Sequence, residues 1–138
     1  VGLKRRAREL TLQMLFQLDL GAVSLQDLEA SFLPGASAPE AAKLMSLQMT
    51  RQVWERVADL DNKLRGLAEH WDLARMAAVD RNVLRLGAYE ILFDPLVPKS
   101  VAINEAIEIA KKFSTDASSK FVNGILDRLE KPAPPKPA

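Results

Sequence analysis

Cysteine is absent from this chain, and histidine occurs once, at position 70. Without cysteine there is no disulfide framework and no thiolate zinc site, and an intracellular, cytoplasmic setting is the natural expectation. A lone histidine builds no His-rich metal site and gives little support to general-base chemistry at neutral pH. No run of about 18 apolar residues occurs, so no membrane partner or span is expected. The opening VGLKRRAREL lacks the long apolar core of a signal peptide. Lys and Arg total 19 against 18 Asp and Glu, a net charge of +1. Bulk charge therefore selects no partner, and any polyanion site must arise from local clustering. A glycine-rich phosphate loop, a Ser-centred nucleophile elbow and a pair of histidines four apart are missing too. Glu105 and Glu108, one turn apart, read as a solvated helix face. The expectation is a binding protein rather than an enzyme, with no catalytic residue, no metal and no cofactor.

What is present is helical. Helix-forming residues dominate, and no segment alternates with period two, so the fold class is all-α. A chain of 138 residues suits one domain or two small helical halves, and can bury about two-thirds of its unfolded surface. Organisation centres on residues 79–93, VDRNVLRLGAYEILF. Its second half is apolar in almost every helical direction, which requires neighbours on several sides. Gly87 costs about 1 kcal/mol against alanine inside a helix, and a close crossing explains its presence. Pro95 and Pro98 stop this helix.

The other helices follow from spacing. A first helix over 3–20 carries the stripe Leu3, Ala7, Leu10, Met14, Leu18, and Gly21 ends it. Ser24 caps a short helix whose buried side is Leu25, Leu28 and Phe32. Residues 33–40 read as a loop, with Pro39 at the first position of a helix running from 40 to about 70. Met45, Met49, Val53, Trp54, Val57 and Leu60 form its first stripe, Leu64, Leu67, Ala68 and Trp71 its second, with a kink near Leu60. His70 is expected at an edge or on the surface. Residues 71–78 connect to the central helix. Ser100 caps a helix to about Phe113, and Thr115 caps the last, over 116–130, where Gly124 marks another close crossing. The proline-rich end, 131–138, is expected to be a disordered tail.

Two stretches carry binding chemistry. Lys4, Arg5, Arg6 and Arg8 crowd the start of the first helix, where cations oppose the macrodipole at roughly 0.3–1 kcal/mol each. An unfavourable local choice points to function. Lys4, Arg5 and Arg8 share one side of the helix and Arg6 points elsewhere. Guanidinium groups bind phosphate bidentately and stack on bases. The second stretch is KFSTDASSK, preceded by a further lysine: Phe113 can stack on an unpaired base and Asp116 can accept from a base edge.

The segments RRARELTLQMLFQLDL, VDRNVLRLGAYEILF with PLVPKSVAINEAIEIAKKF, and SSKFVNGILDRL resemble, in order and spacing, the NusB family of bacterial transcription factors. The likeness spans nearly the whole chain except the tail. It implies about seven helices in two small packed bundles: one NusB-like domain over 1–130, with subdomains roughly 1–78 and 79–130. It also implies binding of single-stranded boxA RNA together with NusE, the small-subunit ribosomal protein, and assembly of an antitermination complex on RNA polymerase during ribosomal RNA transcription. By the same resemblance Lys4, Arg5, Arg6 and Arg8 match the RNA-binding start, and Phe113, Asp116 and Lys120 the RNA-facing loop. Asp80, Leu84 and Arg85 match the exposed part of the central helix that meets NusE. The loop departs from the family pattern: Ala117 stands where an acid is usual and Ser119 where histidine is usual. VPKS stands where VPY-K is common. Monomer and homodimer both remain open. Two other readings stay in play: an accessory RNA-binding domain of a ribosomal RNA cytosine methyltransferase, and a helical adaptor without RNA readout. The tail leaves no room for a catalytic domain, which favours a freestanding protein.

Overall fold

The computed structural model describes residues 2–67 and 72–133. The expected positions of Ala68, His70 and Trp71, and the tail from residue 134, lie outside the described residues. Every regular element among the described residues is helical. The chain falls into two compact units, Val1–Val57 and Ala58–Ala138; the subdomains implied by the resemblance divide near residue 78.

In the first unit, α1 (Leu3–Asp19) ends where Leu20 and Gly21 donate back to the carbonyls of Phe16 and Leu18. Gly21 has φ +78°, a left-handed conformation that glycine adopts without a Cβ penalty. Helix α2 covers 25–35: α-helical over Leu25–Asp27, widened to a π turn over Leu28–Phe32, and α-helical again over Leu33–Gly35. The stretch expected to be loop from residue 33 therefore begins as helix. The widened turn sits just before Pro34, which has no N–H to give to a carbonyl one turn back. Ser24 and Asp27 form a reciprocal capping box at its start. Helix α3 (Glu40–Glu55) follows, with Pro39 as its cap rather than its first residue. The core gathers Leu10, Met14, Leu18, Leu28 and Leu33, with Phe32, Leu47 and Trp54 packed against it.

The buried face of α3 shares Val53 with the expected stripe but is otherwise shifted to one side of it. Ala42, Ser46, Thr50 and Val53 are buried, while Met45 and Met49 are only half-buried. The hydroxyls are tolerated because each donates to a carbonyl: Ser46 to Lys43 (2.8 Å), Thr50 to Ser46 (2.7 Å). On α1, buried Thr11 donates to Ala7 (2.9 Å) and across to Ser46 (3.3 Å). Small side chains with satisfied hydroxyls let α1 and α3 pack along their length. A hydrophobicity stripe alone assigns such residues to solvent.

In the second unit, α4 (Val57–Leu67) starts after a break at Arg56, not at the kink expected near Leu60. A 3₁₀ turn, Leu73–Arg75, is capped by Asp72, whose carboxylate accepts from the Ala74 N–H at 2.9 Å. Then come α5 (Ala78–Phe93), α6 (Lys99–Phe113) and α7 (Asp116–Leu126). Every residue from Asn82 to Ala88 is buried, as are Glu90 and Ile91. Burial of one leucine such as Leu84 contributes about 1.5–3 kcal/mol. A Cβ on Gly87 would lie 2.6 Å from Leu126 Cδ1 and 3.5 Å from the Ala106 Cβ, so the close crossing is real and involves α6 and α7. Gly124 is different: it is exposed, and a Cβ there meets nothing within 4 Å. Pro98, not Ser100, caps α6, and Ser100 is exposed in its first turn. Helix α7 stops at Leu126, before the expected end.

Cations close three helix ends in this unit. Lys131 Nζ donates to the carbonyls of Glu90, Ile91 and Asp94 at the end of α5. Lys99 Nζ reaches the Asp127 carbonyl at 2.8 Å, at the end of α7. Arg128 reaches the Leu67 carbonyl at 2.6 Å, at the end of α4. The last carbonyls of a helix lack intrahelical partners and carry its negative pole, so positive donors suit them.

Candidate nucleic-acid and partner interface

The basic start belongs to the first unit. Lys4, Arg5 and Arg6 are half-exposed in the opening turns of α1, a helix with no acid in its first turn and no side-chain cap. Arg6 is engaged: it pairs with Glu9 at 3.1 Å and donates to the Ser37 carbonyl at 3.0 Å. Arg8 does not stand on the open face expected of a phosphate ligand, because it is 4% exposed. It lies within Ala7–Leu12, where every residue is buried.

The second set belongs to the second unit, at the corner between α6 and α7. Phe113 is the last residue of α6, half-buried, with Lys112 Nζ 5.5 Å from its ring centroid. Asp116 opens α7 and is exposed, as is Lys120 one turn on. Lys111 is exposed in the same last turn of α6. The corner thus presents an aromatic edge, cations and one acceptor, the chemistry that suits unpaired bases and their phosphates. Ser119, where the family pattern has histidine, is 4% exposed and donates to the Asp116 carbonyl at 2.7 Å, so it supports the turn. Ala117 is exposed.

The three residues expected on the exposed part of the central helix separate. Leu84 is fully buried and Arg85 is 6% exposed. Arg85 grips Asp61 of α4 through two 2.7 Å bonds, Nε to Oδ1 and Nη2 to Oδ2, and its Nη1 donates to Asn82 Oδ1 at 3.0 Å. Neither is an exposed contact: a helix buried along most of its length draws even its arginine inward and supplies a partner from a neighbouring helix. Asp80 alone reaches a surface. It lines a cavity of about 530 Å³ with Arg75, Met76, Ala117, Ser118 and Phe121. Its Oδ2 accepts from the Ser118 hydroxyl at 3.1 Å, and its Oδ1 is buried with no hydrogen-bond partner among the described residues.

Ser118 is the residue sequence reasoning missed. Its N–H donates to the Thr115 cap at 3.0 Å, and its hydroxyl lies within hydrogen-bond distance of Ser114 Oγ (3.0 Å) and Thr115 Oγ1 (3.1 Å). The signal was available: once Thr115 is taken as a cap, the third helical residue is the one its side chain holds. The cavity had no such signal, since it joins residues some forty positions apart. Among the described residues no cluster of His, Cys, Asp and Glu could hold a metal ion, and no helix is long and apolar enough to cross a membrane.

Comparison with known proteins identifies the family. The NusB family model matches residues 5–131. A transcription antitermination protein NusB of Trichlorobacter lovleyi is 43% identical over 130 residues, covering 94% of this chain and 92% of its own. The solved structure of T. maritima NusB superposes with a TM-score of 0.81 at 39% identity, covering 94% of this chain and 93% of its own. A structure of the antitermination factors NusB and NusE in complex with dsRNA superposes with a TM-score of 0.75 at 22% identity, covering 91% and 93%; at that identity it speaks to the fold alone.

Proposed function

Because the chain belongs to the NusB family, we propose that it is a transcription antitermination factor that binds boxA-type single-stranded RNA together with NusE. The pair then helps to assemble an antitermination complex on RNA polymerase, in the cytoplasm, during ribosomal RNA transcription. The observation that carries this reading is the nearly full-length likeness to proteins named for antitermination. Those relatives are named as antitermination factors and not as enzymes, and the chain acts by binding. Lys4 and Arg5 supply positive potential, with Arg6 held in place by Glu9. The α6–α7 corner supplies the aromatic face of Phe113, the acceptor Asp116 and the cation Lys120. NusE meets the second unit at the cavity that Asp80 lines.

The test is boxA binding, with and without NusE, at several salt concentrations. Binding should exceed that of a scrambled RNA, and the logarithmic salt slope should be about −0.7 per phosphate contact. Lys4→Ala with Arg5→Ala should flatten the slope by about 0.7 per lost contact and leave NusE binding intact. Equal affinity for boxA and scrambled RNA, with NusE present, overturns the reading.

A further inference from the structure

The Asp80 carboxylate and the RNA-facing corner are joined by a chain of hydroxyls. Ser118 Oγ has one proton and two lone pairs. The proton goes to Asp80 Oδ2, and the lone pairs face the hydroxyls of Ser114 and Thr115, which donate. All three hydroxyls are thereby oriented in one sense, toward the carboxylate at the end of the line. Thr115 meanwhile accepts from the Ser118 N–H, which fixes the first turn of α7. The opposite oxygen of the same carboxylate, Oδ1, is buried without a hydrogen-bond partner among the described residues, and Asp80 lines the cavity.

We infer that Ser118 is a positioning residue that couples occupancy of the Asp80 cavity to the geometry of the Phe113–Lys120 corner. The inference rests on the function proposed above. A partner seated in the cavity packs against the Asp80 side chain and pins the carboxylate in its present rotamer. That fixes the acceptor for Ser118, and through Ser114 and Thr115 it fixes the backbone that carries Phe113 and Asp116. By linkage, RNA that orders the corner must strengthen partner binding at the cavity by the same factor. The effect needs no movement of α5, only loss of freedom in five polar groups that already touch.

The experiment is a linkage cycle. RNA affinity is measured with and without NusE, for the wild type, Ser118→Ala and Ser118→Thr, and the ratio of the two affinities is the readout. This ratio is independent of any change in either affinity alone. NusE should tighten wild-type RNA binding by about 5-fold or more. Ser118→Ala should bring the ratio close to one, and Ser118→Thr, which keeps the hydroxyl, should restore it. Amide exchange gives a second readout that a merely structural role would not move. NusE alone should slow exchange at residues 114–120 in the wild type and Ser118→Thr, but not in Ser118→Ala, provided the variant keeps its helical circular dichroism. If Ser118→Ala does not fold, Ser114→Ala, which removes one donor from the line, should lower the ratio partway. A wild-type ratio retained in the hydroxyl-deleted variants, or a wild-type ratio of one with both ligands bound, overturns the inference alone. Failure of the wild type to bind either ligand overturns the function as well.

Discussion

Both units bury charged groups, Arg8 and Glu9 in the first and Asp61, Arg85 and Glu90 in the second, but a buried hydroxyl and a buried ion pair are held in different ways. The first buries hydroxyls, Thr11, Ser46 and Thr50, each settled on a backbone carbonyl of its own or the facing helix. The second buries an ion pair, Arg85 with Asp61, drawn from helices 24 residues apart in sequence. A hydroxyl on a nearby carbonyl is a local arrangement that survives small shifts. A forked guanidinium on a carboxylate is a long-range one, and removing either half strands a charge in a dry interior. The hydroxyl positions of the first unit are therefore expected to tolerate change, and the ion pair of the second is not.

The sharpest way to break this contrast is Asp61→Ala. It should destabilise the protein by about 3–5 kcal/mol in denaturant unfolding, because the buried Arg85 loses the carboxylate that it grips with two hydrogen bonds. Thr50→Val in the first unit keeps the shape and removes only a hydroxyl, and should cost no more than about 1 kcal/mol. If the two substitutions cost the same, the distinction between the units fails. The smallest effect concerns the capping box at the start of α2. The Asp27 carboxyl is held below its ordinary 3.8 because it accepts from the backbone N–H of Ser24, and from its hydroxyl. A depressed folded value means that the cap is fully formed above pH 3.8 and is lost as pH falls through the lower folded value. Ser24→Ala should move the Asp27 titration, followed by NMR, back toward 3.8 without touching the core.

Local signals were legible in the sequence wherever one residue type does one job. Gly21, Ser24 and Thr115 end or begin helices because backbone conformation and capping chemistry leave few alternatives. Gly87 announced a close crossing because alanine would serve better in a free helix. What stayed hidden depends on pairs. Nothing near Arg85 says that Asp61 awaits it, so a charged residue on the central helix reads as exposed. Ser46 and Thr50 read as surface because the carbonyls that satisfy them lie on the same helix and leave no compositional mark. The candidate site divides along the same line. The aromatic, acid and lysine of the α6–α7 corner were visible as a cluster in one short stretch. The withdrawal of Arg8 and Leu84, and the meeting of Asp80 with Ser118, follow from burial on three-dimensional neighbours.

The lysine and arginine clamps on helix ends have a consequence for how such a chain is read electrostatically. Lys99, Arg128 and Lys131 are formally as positive as any residue in the basic start, yet each also donates to a carbonyl oxygen of the fold, Lys131 to three of them. A tally of basic residues, or a smooth potential painted on the surface, credits them with an attraction to polyanions that their geometry already spends internally. For a protein with nearly balanced charge, the address for a nucleic acid is written by which cations have idle protons, and reagents that acylate accessible amines should modify Lys4 faster than Lys131, whose ammonium holds three carbonyls.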